Sequence, residues 1–295
     1  MNPWPFQILC GNNPIRLHRR FRSRPWGILS RAVALSLILN PCIAAAPESV
    51  IPEASFRSPI IGERLRYRGY WFGIPVGSGW VEVKERIELE GRPVYHIEAQ
   101  GHTNEVLSAL YPIHDMLHSY VDAQTLQPVR FEKYQREGHY RADEVVTFNY
   151  TTGMATYRSL LNQSVKEIQI PSDVQDLLSA LYWFRAQALH PQAAVPANLY
   201  SDEKIYETHI QISRVLPLEL LKRGTFSCFI AEPRASFKGL LVKRGRIWAY
   251  LTADAYRLPL LVKATTPWGP MSAVLDEESI PLEIHRDSAD FMNTS

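Results

Sequence analysis

The stretch RLRYRGYW, residues 64–71, alternates between apolar and basic side chains along most of its length. Successive side chains of a β-strand point to opposite faces of the sheet, so an extended chain here has one apolar and one cationic face. The two faces carry Leu65, Tyr67 and Trp71 against Arg64, Arg66 and Arg68. A strand with one apolar face is typical of an antiparallel sheet, because strands of parallel sheets are buried on both faces.

The same alternation recurs along the chain, in residues 81–87, 95–100, 145–150 and 206–212. Repeated short strands of this kind predict a mainly β fold. We expect a curved antiparallel sheet, a half-barrel or a sandwich, with one principal covering helix.

The covering helix is predicted after residue 172. Ser172 and Gln175 have the spacing of a capping box, in which two side chains satisfy backbone N–H groups at a helix start. Apolar residues then recur at helical spacing, and Pro191 is expected to stop the helix. These apolar residues are Val174, Leu177, Leu178, Leu181 and Ala188. A shorter helical turn is predicted over Glu105 to Leu110.

Turn residues predict several hairpins. Asp122 precedes Pro128, and Asp254 precedes Pro259, in each case between two strand-like runs. An aspartate accepts local backbone hydrogen bonds in a turn, and a proline can open the returning strand where no ladder donor is needed. The segment from Gly73 to Gly79 is predicted to be a hairpin connection before Trp80.

The first 46 residues differ from the rest in charge, since they hold six arginines and no acidic residue. A short apolar run, Ala32 to Leu39, is followed by Ala44 and Ala46, small residues at the positions that a signal peptidase requires. We therefore expect a signal peptide over residues 1–46, cleaved near Ala46 or one residue earlier, and export to the periplasm. Lipidation at Cys42 is disfavoured because Pro41 stands where a small residue is needed.

Beyond the signal peptide we expect an exposed segment over residues 47–61, a single β-rich domain over 62–280 and a polar tail over 281–295. Cleavage removes six of the 32 basic residues and none of the 30 acidic ones, which leaves an acidic chain. This charge disfavours nucleic-acid binding. The apolar run is far shorter than the roughly 20 residues of a membrane-spanning helix, so no permanent membrane span is predicted. Cys228 would remain the one cysteine, without an intramolecular disulfide partner.

Seven short segments together resemble one known family. They are GERLRY (62–67), GRPVY (91–95), YPI (111–113), SYVD (119–122), RFEK (130–133), DLLSALY (176–182) and GTFSC (224–228). The combination is similar to the domain-of-unknown-function family numbered 3108, over about Gly62 to Leu275. The resemblance implies export to the periplasm and a β-rich fold, and it brings no established activity. The hairpins also resemble, more loosely and in architecture alone, periplasmic lipoprotein carriers, in which a curved sheet wraps a helix and encloses an apolar groove.

Histidine spacing offers one candidate metal site. His114 and His118, with Asp115 between them, would share a face of a helix, but the pattern around them predicts a strand. Four residues of strand separate the two side chains by about 13 Å, too far for one ion. His96 and His102 could join them by tertiary contact, although nothing in the sequence requires it. We therefore predict no metal and no cofactor.

Candidate catalytic groups have simpler structural interpretations. The motif Gly77-Ser78-Gly79 lacks the spacing of a serine-hydrolase elbow. Cys228 alternates with apolar neighbours and is predicted to be a core residue, and Glu277 and Glu278 lie in a polar segment. No catalytic residue is predicted, and we expect a protein that is not an enzyme.

Three hypotheses for function remain. The first is a periplasmic binding or carrier module for a lipid-like or amphipathic ligand, with Trp71, Trp80, Leu177 and Leu181 as candidate groove lining. The second is an envelope scaffold or assembly partner that acts through protein contacts. The third, and least favoured, is a hydrolase. Most of the tryptophans are expected to pack in the core.

Overall fold

The computed structural model describes residues 58–220, 224–235 and 246–281. The expected signal peptide, its cleavage at Ala46, most of the segment 47–61 and nearly all of the polar tail lie outside the described residues. Within them, no helix has the length and apolar character needed to cross a membrane.

Sixteen strands and two α-helices make up the described fold. Their bounds are β1 Arg64–Trp71, β2 Ile74–Leu89, β3 Arg92–Thr103, α1 Glu105–Ser108, β4 His114–Asp122, β5 Pro128–Glu137, β6 Tyr140–Asn149, β7 Met154–Ser159, β8 Val165–Gln169, β9 Val174–Gln175, α2 Leu177–Ala186, β10 Ala194–Ser201, β11 Lys204–Ile212, β12 Leu216–Leu220, β13 Gly224–Ala235, β14 Arg246–Thr252, β15 Pro259–Thr266 and β16 Gly269–Leu275. A single 3₁₀ turn, Glu277–Ser279, follows the last strand.

The strands form one large curved sheet that stays open. Its order is β8-β7-β6-β5-β4-β3-β2-β1-β16-β15-β14-β13-β11-β10-β9, with β12 paired to β13. Neighbouring strands are antiparallel except for β9, which pairs with β10 in parallel. The predicted fold class, mainly β with one principal covering helix, is confirmed.

Helix α2 packs on one face of the sheet, called the inner face below. Val83 of β2, Ile97 of β3 and Val121 of β4 are fully buried there, against Leu178 and Tyr182 of the helix. The alternation read from the sequence therefore decides which side chains enter the core. Three further buried clusters continue this core, and they include Phe148, Phe229 and Leu260.

The predicted start of the helix was wrong by four residues. Val174 and Gln175 form strand β9, and α2 begins at Leu177 with Asp176 as its N-cap. The carboxylate of Asp176 accepts from the backbone N–H groups of Leu178 and Ser179, while the Ser179 hydroxyl accepts from the Asp176 N–H. The capping box is thus formed by Asp176 and Ser179, because a buried aspartate can satisfy two amide donors at once.

The helix also ends earlier than predicted, at Ala186. Arg257 is fully buried, and its guanidinium donates to the carbonyl oxygens of Arg185 and Gln187. These bonds satisfy carbonyls that the helix end leaves without partners. A residue about 70 positions away therefore caps the helix before Pro191 is reached.

The two Asp-to-Pro hairpins are confirmed. The Asp122 carboxylate accepts from the N–H groups of Gln124 and Thr125, and β5 begins at Pro128. The Asp254 carboxylate accepts in the same way from the two residues before Leu258, and β15 begins at Pro259.

The connection predicted over Gly73 to Gly79 is shorter than expected. Phe72 and Gly73 alone form the turn, with φ of 49° and 79°, and β2 begins at Ile74. Two residues with positive φ make a turn whose twist matches that of the strands it joins. Gly77 and Gly79 lie inside β2, where the backbone of β3 approaches them closely.

We expect the substitution Gly77→Ala to lower the free energy of unfolding by about 1–3 kcal/mol or more, as overpacked sites do. A Cβ at this position would lie 2.2 Å from the carbonyl oxygen of His102, a backbone atom that cannot rotate away. Urea denaturation followed by circular dichroism measures the change.

Gly101→Ala is the matched control, since a Cβ at Gly101 of the neighbouring strand β3 would meet nothing within 4 Å. We expect this variant to unfold within about 1 kcal/mol of the wild type. Equal losses in the two variants would show that the close approach at Gly77 is not what requires glycine there.

Candidate functional site

Several turns lie together at one end of the strands. Antiparallel neighbours run alternately up and down, so the end at which β1 turns into β2 is also where β3 leads into α1. The turns from β7 to β8 and from β15 to β16 lie at the same end. We call it the rim end.

Exposed apolar side chains concentrate at the rim end. Of the twelve large apolar side chains exposed among the described residues, ten lie there, and the other two are Ile60 and Ile61 before β1. We call the ten together the apolar rim: Trp71, Phe72, Ile74, Val106, Leu110, Leu160, Leu161, Val165, Trp268 and Met271. Single exposed apolar residues are normal, whereas a cluster of them marks an interaction site. Seven of the ten come from the turns of the neighbouring strands β3, β2, β1, β16 and β15, and Leu160, Leu161 and Val165 lie several strands further along the same end.

Two hairpins hold the aromatic part of the rim. The indole N–H of Trp71 donates to the carbonyl of Trp268 over 2.9 Å, and the N–H of Phe72 donates to the carbonyl of Pro270. The rings of Trp71 and Phe72 meet edge to face at 5.5 Å. The Phe72 ring lies so close to Gly269 that a Cβ there would be 2.2 Å from it. The exposed rings are therefore fixed in place by the turns.

Helix α1 holds the most exposed part of the rim. Its N-cap, Asn104, accepts from the N–H of Leu107 and donates to the carbonyl of Pro75, which ties the helical turn to β2. The side chains of Val106 and Leu110 are 80% and 83% exposed. The helical turn predicted over Glu105 to Leu110 is confirmed, and it presents its apolar residues to the outside.

A buried acidic group lies just inside the rim end. Asp115 and Glu137 are 4% and 1% exposed on the inner face, and Gln135 donates to the Glu137 carboxylate over 3.1 Å. Burial and the neighbouring Asp115 raise the pKa of Glu137 to about 8. The protonated form of Glu137 is therefore favoured by its surroundings.

An ion-pair network lies beside this acidic group on the inner face. The ammonium of Lys133 lies 2.9 Å from Glu144 and 2.9 Å from Asp202 in the turn between β10 and β11. Burial lowers the pKa of Lys133, but the two carboxylates outweigh it, and the pKa is raised overall. Asp202 and Glu203 both have positive φ, and Glu203 pairs with Lys166 of β8. The ion pairs hold this strained turn against the inner face.

A cleft of about 570 Å³ lies between the two edges of the sheet, where the β8 side faces the side formed by β10 and β11. Ile170 and Pro171, which follow β8, form one wall, and Pro196, Ile205 and His209 of β10 and β11 form the other. Its volume is in the range of ligand pockets.

The four residues predicted to line a groove do not share one. Trp71 belongs to the rim, and Leu177 and Leu181 lie on α2, where Leu181 packs against the core. Trp80 points to the outer face, since its neighbour Val81 packs toward the helix, and the Arg64 guanidinium covers its ring at 4.3 Å. A residue on the opposite face cannot contribute to a groove beneath the helix.

The rim was missed because its residues come from separate turns, each too short for a periodic pattern. A local signal was present, since Phe72 and Trp268 each stand directly before a glycine with positive φ. An aromatic residue in a tight turn is exposed unless another element covers it.

The remaining candidates lie where the sequence placed them or nearby. His114 and His118 are on strand β4, which confirms the predicted strand. Cys228 is a buried core residue as predicted, and burial raises the pKa of its thiol to about 12. The Ser78 hydroxyl lies 3.0 Å from the His102 imidazole on the outer face. β2 has a neighbour on both sides at Ser78, so the ladder uses the backbone N–H groups that an oxyanion site would need.

The sequence of the chain matches one known protein family over most of its length. The family described as "Protein of unknown function (DUF3108)" matches residues 66–276. The chain belongs to the DUF3108 family. This confirms the resemblance read from the seven short segments. No curated protein matches the chain.

A solved structure from another family shares the fold of this DUF3108 protein. It is the crystal structure of a β-barrel-like protein of the domain-of-unknown-function family DUF1849 from Brucella abortus, with a TM-score of 0.54 and 10% sequence identity. The match covers 74% of this chain and 97% of that chain. At this identity the likeness concerns the fold alone.

Proposed function

We propose that this DUF3108 protein is a non-catalytic binding or carrier module of the bacterial periplasm that contacts lipid-like or amphipathic material through its apolar rim. The observation that carries the proposal is the concentration of exposed apolar side chains at one end of the sheet. Its location in the periplasm rests on the leader-like sequence of residues 1–46.

The apolar rim exposes large side chains to water. Phe72, Ile74, Val106 and Leu110 are each more than 60% exposed. Moving one such side chain from water to an apolar phase is worth about 1.5–3 kcal/mol. Several acting together would hold the protein at a lipid surface or on an acyl chain. Helix α1 and the hairpins hold the backbone that carries these side chains, so little backbone entropy is lost on binding.

Flotation with lipid vesicles tests the proposal. We expect untagged wild-type protein to float with vesicles of phosphatidylethanolamine and phosphatidylglycerol. The double substitution Val106→Ser and Leu110→Ser is expected to weaken partitioning at least about tenfold, because each lost apolar contact is worth more than 1.4 kcal/mol.

The control is Ile60→Ser with Ile61→Ser, which removes two exposed apolar side chains at the opposite end of β1. It should float like the wild type. Equal losses in both variants, or a wild type that stays in solution, would contradict a role for the rim. Native mass spectrometry of protein taken from the periplasm then separates a carrier from a surface binder: a species that is ligand-free and takes up no added lipid is not a carrier.

An envelope scaffold or assembly partner is a second candidate because β8 ends the sheet. Among the described strands β8 pairs with β7 alone, and Val165 at its start is 51% exposed. A free strand edge can pair with a strand of another protein. Crosslinking in cells that recovers no envelope protein through β8 would count against this alternative.

A further inference from the structure

We propose that His96, Glu98 and His118 form a binding site for a divalent transition metal of the zinc type on the outer face of the sheet. His96 and Glu98 are two residues apart on β3 and therefore share a face, and His118 of β4 is the register partner of Glu98. One nitrogen from each histidine and one oxygen from the glutamate lie within 4.8 Å of one another. The site is independent of the apolar rim.

The distances suit a metal shell after small movements. The Nε2 atom of His96 is 3.0 Å from the Nδ1 atom of His118, and the Oε2 atom of Glu98 is 3.9 Å from the same Nδ1 atom. Zinc binds histidine nitrogen and carboxylate oxygen at about 2.0–2.2 Å, so its tetrahedral donors lie roughly 3.3–3.6 Å apart. Both of these distances are within a few tenths of an ångström of this spacing, and the His96 and Glu98 donors, which lie within 4.8 Å of each other, can approach by side-chain rotation.

Aromatic neighbours orient the two histidine rings. Tyr120 stacks on His96 with 4.7 Å between ring centres and an interplanar angle of 7°, and Tyr134 meets His118 edge on. The Nδ1 atom of His96 is 3.8 Å from a carboxylate oxygen of Glu85. A carboxylate behind a ligating histidine is the usual second-shell arrangement, since it orients the ring and raises its basicity.

One lysine lies beside the site. The Lys84 ammonium is 4.0 Å from Glu98 and 3.8 Å from Glu82, so it can keep Glu82 as its partner when Glu98 binds a metal.

The site remains accessible to an ion. The three ligand side chains are between 14% and 17% exposed. Three protein ligands leave the fourth position of a tetrahedral metal open to water or to another molecule. Nitrogen and carboxylate donors suit zinc, cobalt and nickel better than calcium or magnesium.

Metal titration of the untagged, chelator-stripped protein tests the site. We expect calorimetry to show one Zn²⁺ bound per chain and Co²⁺ to give a visible absorption band. His118→Gln and Glu98→Gln should each weaken binding at least tenfold. His114→Gln is the matched control, because His114 lies on the same strand and contacts Gln100 instead of the proposed ligands. It should leave the affinity unchanged.

Thermal unfolding monitored by circular dichroism shows whether each variant is folded before metal is added. A wild type that binds no Zn²⁺, or a His114→Gln variant that loses as much affinity as His118→Gln, would overturn the proposal. If His118→Gln fails to fold, Glu98→Gln decides the matter, since it preserves the shape of a partly exposed side chain. Saturating Zn²⁺ should also raise the melting temperatures of the wild type and of His114→Gln. The melting temperatures of His118→Gln and Glu98→Gln should change much less.

Discussion

Replacing Glu63 by alanine is expected to lower the free energy of unfolding by about 3–5 kcal/mol, and Arg185→Met should have a similar effect. Arg185 is fully buried in α2, and its two terminal nitrogens lie 2.7 and 2.8 Å from the two carboxylate oxygens of Glu63. The pair joins the covering helix to the residue that precedes β1. Removing one member of the pair leaves the other as a buried charge without its ionic partner, which is why the loss is large.

Urea denaturation at pH 7 measures this loss. Glu278→Ala is the control, since it removes an exposed ion pair with Arg66 at 3.3 Å, and such pairs contribute about 0–1 kcal/mol. The double variant Glu63→Leu with Arg185→Met should be more stable than either single variant, because it leaves no orphaned charge. A Glu63→Ala loss below about 1 kcal/mol would show that the pair does not anchor the helix.

Replacing Asp176 by asparagine is expected to raise the free energy of unfolding at pH 7 by about 2–3 kcal/mol. Asp176 is fully buried, and its carboxylate contacts the Ser119 hydroxyl at 2.5 Å besides capping α2. Burial raises the pKa of this carboxyl to about 6, against the hydrogen bonds that it accepts. Asparagine can cap the helix equally well and removes the buried charge, while its amide can donate to the Ser119 oxygen in place of the bond that Ser119 now donates.

The effect has a defined pH range. Because the pKa of Asp176 is higher in the folded chain, the folded state binds more protons between the unfolded value of 3.8 and about 6. The stability that the protonated Asp176 carboxyl contributes is fully present below pH 3.8 and is lost as the pH rises through 6. The advantage of Asp176→Asn should therefore grow between pH 4 and 7 and stay constant above it. Glu137 titrates in both proteins, so its effect cancels when the free energy of unfolding of the wild type is subtracted from that of Asp176→Asn.

Asp176→Ala separates the cap from the charge. At pH 4.5, where the folded wild type holds the carboxyl mostly protonated, alanine removes the cap and leaves the Ser119 hydroxyl buried without this partner. We expect a loss of about 2–4 kcal/mol there. Denaturant titrations of the three proteins at pH 4.5, 6 and 7 give the comparison. An Asp176→Asn advantage that does not change with pH would contradict the raised pKa.

Local sequence patterns were sufficient to predict the fold class. The alternation around Leu65 and Val83 places alternate side chains on the two faces whatever the partners are, so it predicted strands and the core face correctly. Asp122 and Asp254 formed the predicted hairpins because their bonds reach only two or three residues along the chain. The helix bounds failed because Arg257 and the pairing of β9 with β10 act from far away in sequence.

The sequence by itself determined an antiparallel sheet, its apolar face, a covering helix near residue 180 and the family. Each of these depends on side-chain periodicity or on contacts within a few residues. The tertiary structure alone decided which turns lie at the rim end, that Trp80 faces away from α2, and that His96 lies beside His118. These depend on strand order and register, which bring together residues that no local spacing connects.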